Sequence, residues 1–268
     1  MKLNFGQKRV NVHRADVVQL PEKDIKIDMY YSSNNIIKKL LGLYTIKVNG
    51  YKFKRPLRIT DCEGNLPSLR STLVFPGILL KYAINKIRKR FVVKNPKPFI
   101  VVDAVDFIQK RLFVGAKVLE TGAGNSTLWF LSQKCVVTSV EHDEFWAKDI
   151  AAKAKKIDGF NPSNLSLKVA NGKDALNYLS EINDKFDVIL IDSMNKFLSR
   201  YESIKLVRNK LTKDGILVLD NSDGMVNWKA MSLMDGIDYR TFTGYAYNCP
   251  IVTQTTAWEA HNIVSSNK

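Results

Sequence analysis

The chain has 268 residues, 45% hydrophobic and 25% charged, with a formal net charge of +15. That composition fits a globular protein with one sizeable domain and an accessory region, and it excludes collagen-like, disordered and coiled-coil chains. The longest nearly apolar run, Leu73 to Leu80, is 8 residues and contains Pro76 and Gly77, whereas a membrane-spanning helix needs about 20.

The opening MKLNFGQKRV has no apolar core of the kind a signal peptide carries. Cys62, Cys135 and Cys249 are odd in number and far apart, which points away from a disulfide framework and from a zinc cluster. The expected location is therefore the cytoplasm. The charge is unevenly placed: residues 1–115 hold 23 Lys and Arg against 8 Asp and Glu, while residues 116–268 hold 18 of each. The whole excess lies in the N-terminal part, which implies two regions with different tasks.

In chain order, the first signal is Thr45-Ile-Lys-Val48, Asn49-Gly50, Tyr51-Lys-Phe-Lys54. Asn-Gly supplies the positive φ that both turn positions of a two-residue hairpin require. In that register Ile46, Val48, Tyr51 and Phe53 share one face, and Lys47, Lys52 and Lys54 share the other. Opposed like charges destabilise a hairpin, so solvent or an anionic partner must relieve them. A helix with a basic end is expected over Ile78–Arg90. Two prolines near Lys94–Pro98 mark the boundary, giving a basic accessory region at 1–95 and a second domain at 96–268.

From residue 116 strands and helices alternate. Strands are expected at Ala116–Glu120, Val136–Glu141, Leu165–Val169, Asp187–Ile191 and Gly215–Asp220, with helices near 126–133, 143–156, 172–182 and 199–211. The continuous apolar runs Val188–Ile191 and Ile216–Leu219 suit strands buried on both faces of a parallel sheet. Such alternation defines a doubly wound α/β fold. Tyr239–Gly244 and Ile251–Trp258 fit an antiparallel pair at the sheet edge.

The most informative segment is Val118-Leu-Glu-Thr-Gly-Ala-Gly-Asn-Ser-Thr127, a strand, a glycine turn and a helix start. Gly122 and Gly124 permit a tight turn and close approach to a ligand. Thr127, preceded by Ser126, stands where a dinucleotide fingerprint has its third glycine, and no Gly-Lys-Ser/Thr follows. Glu120 at the strand end would repel a pyrophosphate but suits a ligand carrying an ammonium and a sulfonium, S-adenosylmethionine. Glu141 ends the second strand, where a carboxylate can accept both ribose hydroxyls. His142 would then lie beside the adenine, and Asp174, after the third strand, could accept from its amino group. Glu141 and Asp174 also stand where carboxylates cap helices.

These residues resemble the class I S-adenosylmethionine-dependent methyltransferases over residues 98–258, through Glu120–Ser126, Val140–Asp143, Phe186–Asp192 and Gly215–Asn221. The resemblance implies a seven-stranded, mostly parallel sheet with the last strand antiparallel, and a cofactor held by Glu120, Gly122, Ala123, Gly124, Asn125, Ser126, Glu141, His142, Asp174, Ala175 and Asp192. Base-amino methyltransferases carry Asn/Asp-Pro-Pro-aromatic where this chain has Asp192-Ser-Met-Asn195. No Pro-Cys nucleophile is present, and Asp220-Asn-Ser-Asp223 stands where RNA ribose methyltransferases need a Lys.

Asp192, Asp220 and Asn221 match the metal-ligand positions of catechol-type O-methyltransferases, so Mg²⁺ or another divalent cation is a further expectation. Asn195 occupies the place of that family's Lys base, and Lys196 comes one place late. The expected activity is O-methylation of a small-molecule or glycan hydroxyl, with Asp192 as the catalytic residue. Two other readings are an RNA-directed methyltransferase gripping phosphates with its basic region and a silent cofactor-binding module. The basic region is expected to face an acidic glycan or its lipid-linked precursor, the anionic face of a membrane, or RNA, the alternative being a solvated basic face that only keeps the protein soluble. A membrane partner would make the protein peripheral to a membrane.

Overall fold

The structure is a computed structural model, and it describes residues 27–31, 36–48, 51–87, 96–247 and 249–265. The N-terminal part holds β1 (Ile27–Tyr31), α1 (Ile36–Leu40), β2 (Leu43–Val48) and β3 (Tyr51–Pro56). The three strands form an antiparallel sheet in the order β1-β2-β3. Lys47 pairs with Lys52 and Val48 with Tyr51, the register expected of an Asn-Gly hairpin. The turn itself, Asn49-Gly50, lies outside the described residues. Sequence reading found two of the three strands.

Helix α2 runs from Leu69 to Ile87 and so starts well before the expected Ile78; Arg88–Arg90 lie outside the described residues. Pro76 and Gly77 read as breakers but sit inside it. Thr72 and Pro76 are both exposed, on a side of the helix where water can serve the carbonyl that an internal proline leaves without an amide.

A second sheet follows, built from β4 (Lys117–Thr121), β5 (Val136–Glu141), β6 (Leu165–Val169), β7 (Phe186–Ile191), β8 (Leu211–Asp220), β9 (Tyr239–Ala246) and β10 (Cys249–Glu259). Their order is β6-β5-β4-β7-β8-β10-β9. Strands β6, β5, β4, β7 and β8 are mutually parallel, and β10 inserts antiparallel between β8 and β9. The seven-stranded doubly wound sheet is therefore present. Only β9 is an edge strand of the terminal pair.

The connecting helices are α3 (Val102–Gln109), α4 (Asn125–Ser132), α5 (Glu144–Ala154), α6 (Gly172–Glu181), α7 (Arg200–Val207), α8 (Trp228–Ser232) and α9 (Ala260–Ser265). Period-two alternation divides each strand between two cores. Val118, Val137, Val188, Leu190 and Ile216 face α3, α4 and α5. Leu119, Ile189, Ile191, Leu217 and Leu219 face the other layer, with Leu179, Ile204 and Ile263. This two-sided burial is why β7 and β8 read as unbroken apolar runs.

The chain order reverses at β4, leaving a crevice at the carboxyl ends of β4 and β7 where such folds bind ligands. The 57–87 segment is bonded to the β9–β10 hairpin: Val252 N donates to Leu57 O at 2.6 Å and Ser68 N to Thr243 O at 2.9 Å. Tyr245 Oη donates to the Arg58 carbonyl at 2.6 Å. Ile78 packs with Val102, Tyr245 and Val252.

Trp258, fully buried in β10, ties the terminal hairpin to the core. Trp258→Ala is expected to lower stability by about 3–5 kcal/mol, read from the shift of the urea unfolding midpoint.

Candidate active site

The glycine loop joins β4 to α4 at the reversal point. Gly122 has φ +92°, a region that favours glycine, and an added Cβ would come within 3.1 Å of the Asp192 carbonyl oxygen. The loop and the end of β7 are therefore in contact through backbone. At Gly124 the same Cβ would meet nothing within 4 Å, so the loop opens to space there. Gly124 N donates to Thr127 Oγ1 at 2.8 Å.

Glu120 lies beneath the loop with no exposed surface. Its oxygens accept from Ser126 Oγ at 2.7 Å and from Thr127 Oγ1. Burial pushes its carboxyl from 4.5 up to about 7; the Thr127 and Ser126 hydroxyls oppose the rise and the nearby Asp192 charge adds to it. Sequence reading placed Glu120 and Ser126 against the ligand. The structure pairs them with each other, because a buried carboxylate takes the nearest donors, and there they set the loop's shape.

Glu141 is also buried. One oxygen accepts from Ala123 N at 2.9 Å, and the other from His142 N at 2.8 Å and Asp143 N at 2.9 Å, with His142 Nδ1 2.7 Å from it. Trp146 Nε1 donates to the Ala123 carbonyl at 2.6 Å. Both polar groups of the Ala123 backbone are thus held from α5 and the end of β5. Asp143 caps α5 by accepting from Trp146 N. Trp146 was missed in the sequence; an aromatic three residues past a cap is no signal by itself.

A narrow cleft beside the loop is lined by Gly122, Val140, His142, Met194 and Phe197, among others. The His142 and Phe197 rings stack with centroids 3.9 Å apart and 16° between planes. Phe197 too went unread, because it comes from the β7–α7 loop. Asp174 is exposed on the first turn of α6 and does not line this cleft. Ala175 corrects the sequence reading: it is buried in the core with Leu179, and its amide already bonds Asn171 O.

Asp192 follows β7 with its side chain 27% exposed. Arg200, at the start of α7 and nearly buried, reaches back to it: Nη2 meets Asp192 Oδ1 at 2.9 Å, Nε donates to Ser193 O at 2.7 Å and Nη1 donates to the Asp220 carbonyl. Asp220 is buried and accepts from Thr255 Oγ1 at 2.7 Å. Burial raises the carboxyls of both Asp192 and Asp220; Asp192's charge raises Asp220 further, while Arg200 opposes the rise in each.

Asn221 has φ +49° and donates Nδ2 to Thr253 at 3.1 Å. These three residues were expected to hold a divalent cation, and their surroundings do not fit one. Asp192 is already neutralised by a fixed guanidinium, Asp220 is hydrogen-bonded inside the core, and Asn221 is turned to Thr253. A second cation would have to sit beside Arg200. Asn195 donates to Asn227 at 2.8 Å and accepts from Arg200 N, which closes the same loop.

Residues 119–222 match the model of a family described as a methyltransferase domain. Comparison with curated proteins finds no match. Among solved structures, the chain is similar to an O-methyltransferase from Bacillus cereus in complex with SAH (14% identity, 69% of this chain and 90% of that one, TM-score 0.49). It is similar also to the O-methyltransferase TomG from Streptomyces achromogenes in complex with SAM (14%, 68% and 88%, 0.48) and to spermidine synthase from Thermotoga maritima (17%, 81% and 65%, 0.41). The family match falls on the strands, loop and cleft just described. The match covers less than half of the chain, and over that stretch the chain is similar to a methyltransferase domain.

Glu120 gives a signed pH dependence. Its folded pKa lies above the unfolded one, so its contribution is fully favourable below pH 4.5 and is lost as pH rises through about 7. Glu120→Gln is expected to flatten the loss of stability across that window, measured by urea titrations at several pH values. For Arg200→Met the expected cost is about 3–5 kcal/mol, because Asp192 is left without its partner; the same denaturation assay checks it.

Proposed function

We propose that the enzyme transfers a methyl group from S-adenosylmethionine to a hydroxyl of a small-molecule or glycan acceptor. The observation that carries this reading is the part-exposed Asp192 carboxyl at the contact between glycine loop and β7, held by Arg200. Its raised pKa moves it toward the range useful to a general base.

The open space at Gly124 fits a bound cofactor, which supplies a methyl group on a positively charged sulfur. Gly122, Ala123, Gly124 and Asn125 would cradle its polar end. Glu141 would exchange its bond to the Ala123 amide for the ribose hydroxyls, and the His142–Phe197 stack would flank the adenine. Glu120 and Ser126 would act through the loop's shape. Asp192 would orient the acceptor hydroxyl and take its proton, so that the oxygen could receive the methyl group as its bond to sulfur breaks and the sulfur, keeping the electron pair, becomes a neutral thioether. Alignment and a base are what an in-line displacement asks of a protein.

Calorimetric titration with S-adenosylhomocysteine is expected to show binding, weakened by roughly 1.5–3 kcal/mol in Glu141→Ala. Asp192→Asn should bind it equally well yet turn over about a hundredfold more slowly. Extracts supplied with the cofactor and enzyme should yield a product heavier by one methylene in mass spectrometry. Binding with no product from any hydroxyl pool would make this a silent module. Exhaustive chelation is expected to leave activity intact; its loss on chelation and return with Mg²⁺ would restore a metal role to Asp192, Asp220 and Asn221.

A further inference from the structure

Helix α2 is apolar on two opposite sides. One side, with Phe75 and Ile78, packs on Val102, Tyr245 and Val252. On the other, Leu69, Leu73, Pro76, Leu80, Ile84 and Ile87 follow spacings of 4, 3, 4, 4 and 3, an arc of about 80° at 3.6 residues per turn. Leu69 is 78% exposed, Leu73 72%, Leu80 62% and Ile87 81%. A helix apolar on both sides is expected to be covered on both. Ile37, Leu40 and Leu41 at α1 and Leu66 before α2 are exposed as well. Of the nineteen exposed large hydrophobic side chains among the described residues, thirteen lie between residues 37 and 99.

We infer that this region docks on an anionic lipid surface through the α2 stripe, an inference that does not depend on the methyl acceptor. Charge selects the occupant. Residues 69–90 contain Arg70, Lys81, Lys86, Arg88, Lys89 and Arg90 and no Asp or Glu. Arg70 is met by Asp103 and Asp106, and Lys81 is exposed. The only carboxylates between residues 36 and 97 are Asp61 and Glu63, both engaged at Gln254.

A second copy laid on the stripe would set basic helix against basic helix. Residues 1–26, with 6 Lys and Arg against 3 Asp and Glu, carry the same sign and are a poor cover. Nucleic acid would neutralise the charge but leave the leucines in water. An anionic bilayer satisfies both, since an interfacial helix adds buried apolar area to attraction for lipid headgroups. No helix among the described residues is long and apolar enough to cross a membrane, so the contact is made from the surface.

The test is flotation of the full chain with vesicles of phosphatidylglycerol and phosphatidylcholine, and with phosphatidylcholine alone, at low and high salt. Co-flotation with the anionic vesicles only, weakened by salt, is expected. The Leu73→Asp, Leu80→Asp double variant should lose partitioning on the order of tenfold or more while binding S-adenosylhomocysteine like the wild type. A wild-type chain that binds S-adenosylhomocysteine but stays with the lipid-free fraction at low salt would overturn the proposal. Equal flotation with neutral vesicles would also overturn it. So would a wild-type dimer in light scattering that the double variant dissociates, since the stripe would then belong to a second copy. Loss of methyl transfer with lipid binding intact would count only against the catalytic reading.

Discussion

A guanidinium buried at the carboxyl end of the sheet holds the candidate site together. Asp192 follows β7 and Asp220 ends β8, and the two are close enough for the charge of Asp192 to raise the pKa of Asp220. Arg200 resolves this from α7: it pairs with Asp192, takes the carbonyl of Asp220 and takes the carbonyl of Ser193. One side chain thus neutralises a charge and satisfies two backbone acceptors that the parallel ladder cannot reach. A lysine would supply the charge without the fixed fork needed for all three. Asp192 is thus held through one oxygen by a partner inside the protein while part of its side chain stays exposed.

The adjoining strand meets a similar demand with neutral groups. Glu120 has no cation, and its charge is moderated by two hydroxyls from the first turn of α4. Those hydroxyls come from Ser126 and Thr127, at the place where a third glycine was sought. The loop substitutes polar support from below for glycine's freedom. Thr127 accepts from Gly124 N while donating to Glu120, so the carboxyl, the helix start and the open turn form one unit. Glu141 and Trp146 then hold Ala123 from the other side.

The sheet was legible because its signals are local and repeated. Val188–Ile191 and Ile216–Leu219 have the unbroken apolar character that burial on two faces demands, and Val136–Glu141 and Leu165–Val169 match the observed strands residue for residue. The glycine loop was legible for the same reason. What escaped were contacts between distant segments. Arg200 reads as one more helical cation, Phe197 as a loop aromatic and Trp146 as part of an amphipathic face, yet each acts on a residue from another strand end. The metal expectation failed on this ground: strand-end aspartates can be matched by position, but the guanidinium that occupies their charge arrives from elsewhere in the chain. Proline misled at α2, since a breaker's cost depends on whether its orphaned carbonyl meets water, and sequence does not show that.

The accessory region is tied to the same end of the sheet through two buried carboxylates. Asp61 accepts from Glu63 N, Asn65 N and Asn65 Nδ2 within its own loop and from Gln254 Nε2 of β10. Asp223, three residues past β8, accepts from Cys62 N of that loop and from Thr253 Oγ1 and Gln254 N of β10. Burial, with Asp223 beside it, pushes the Cys62 thiol up and keeps it protonated. The segment after Asp220 is therefore fixed by residues of the 61–65 loop. Leu69 begins α2 only a few residues beyond Asn65. The exposed aliphatic stripe and the loop bonded to β10 thus belong to one continuous stretch of chain. A surface that held the stripe would therefore also hold the loop that fixes the segment after β8, and with it the β9–β10 hairpin.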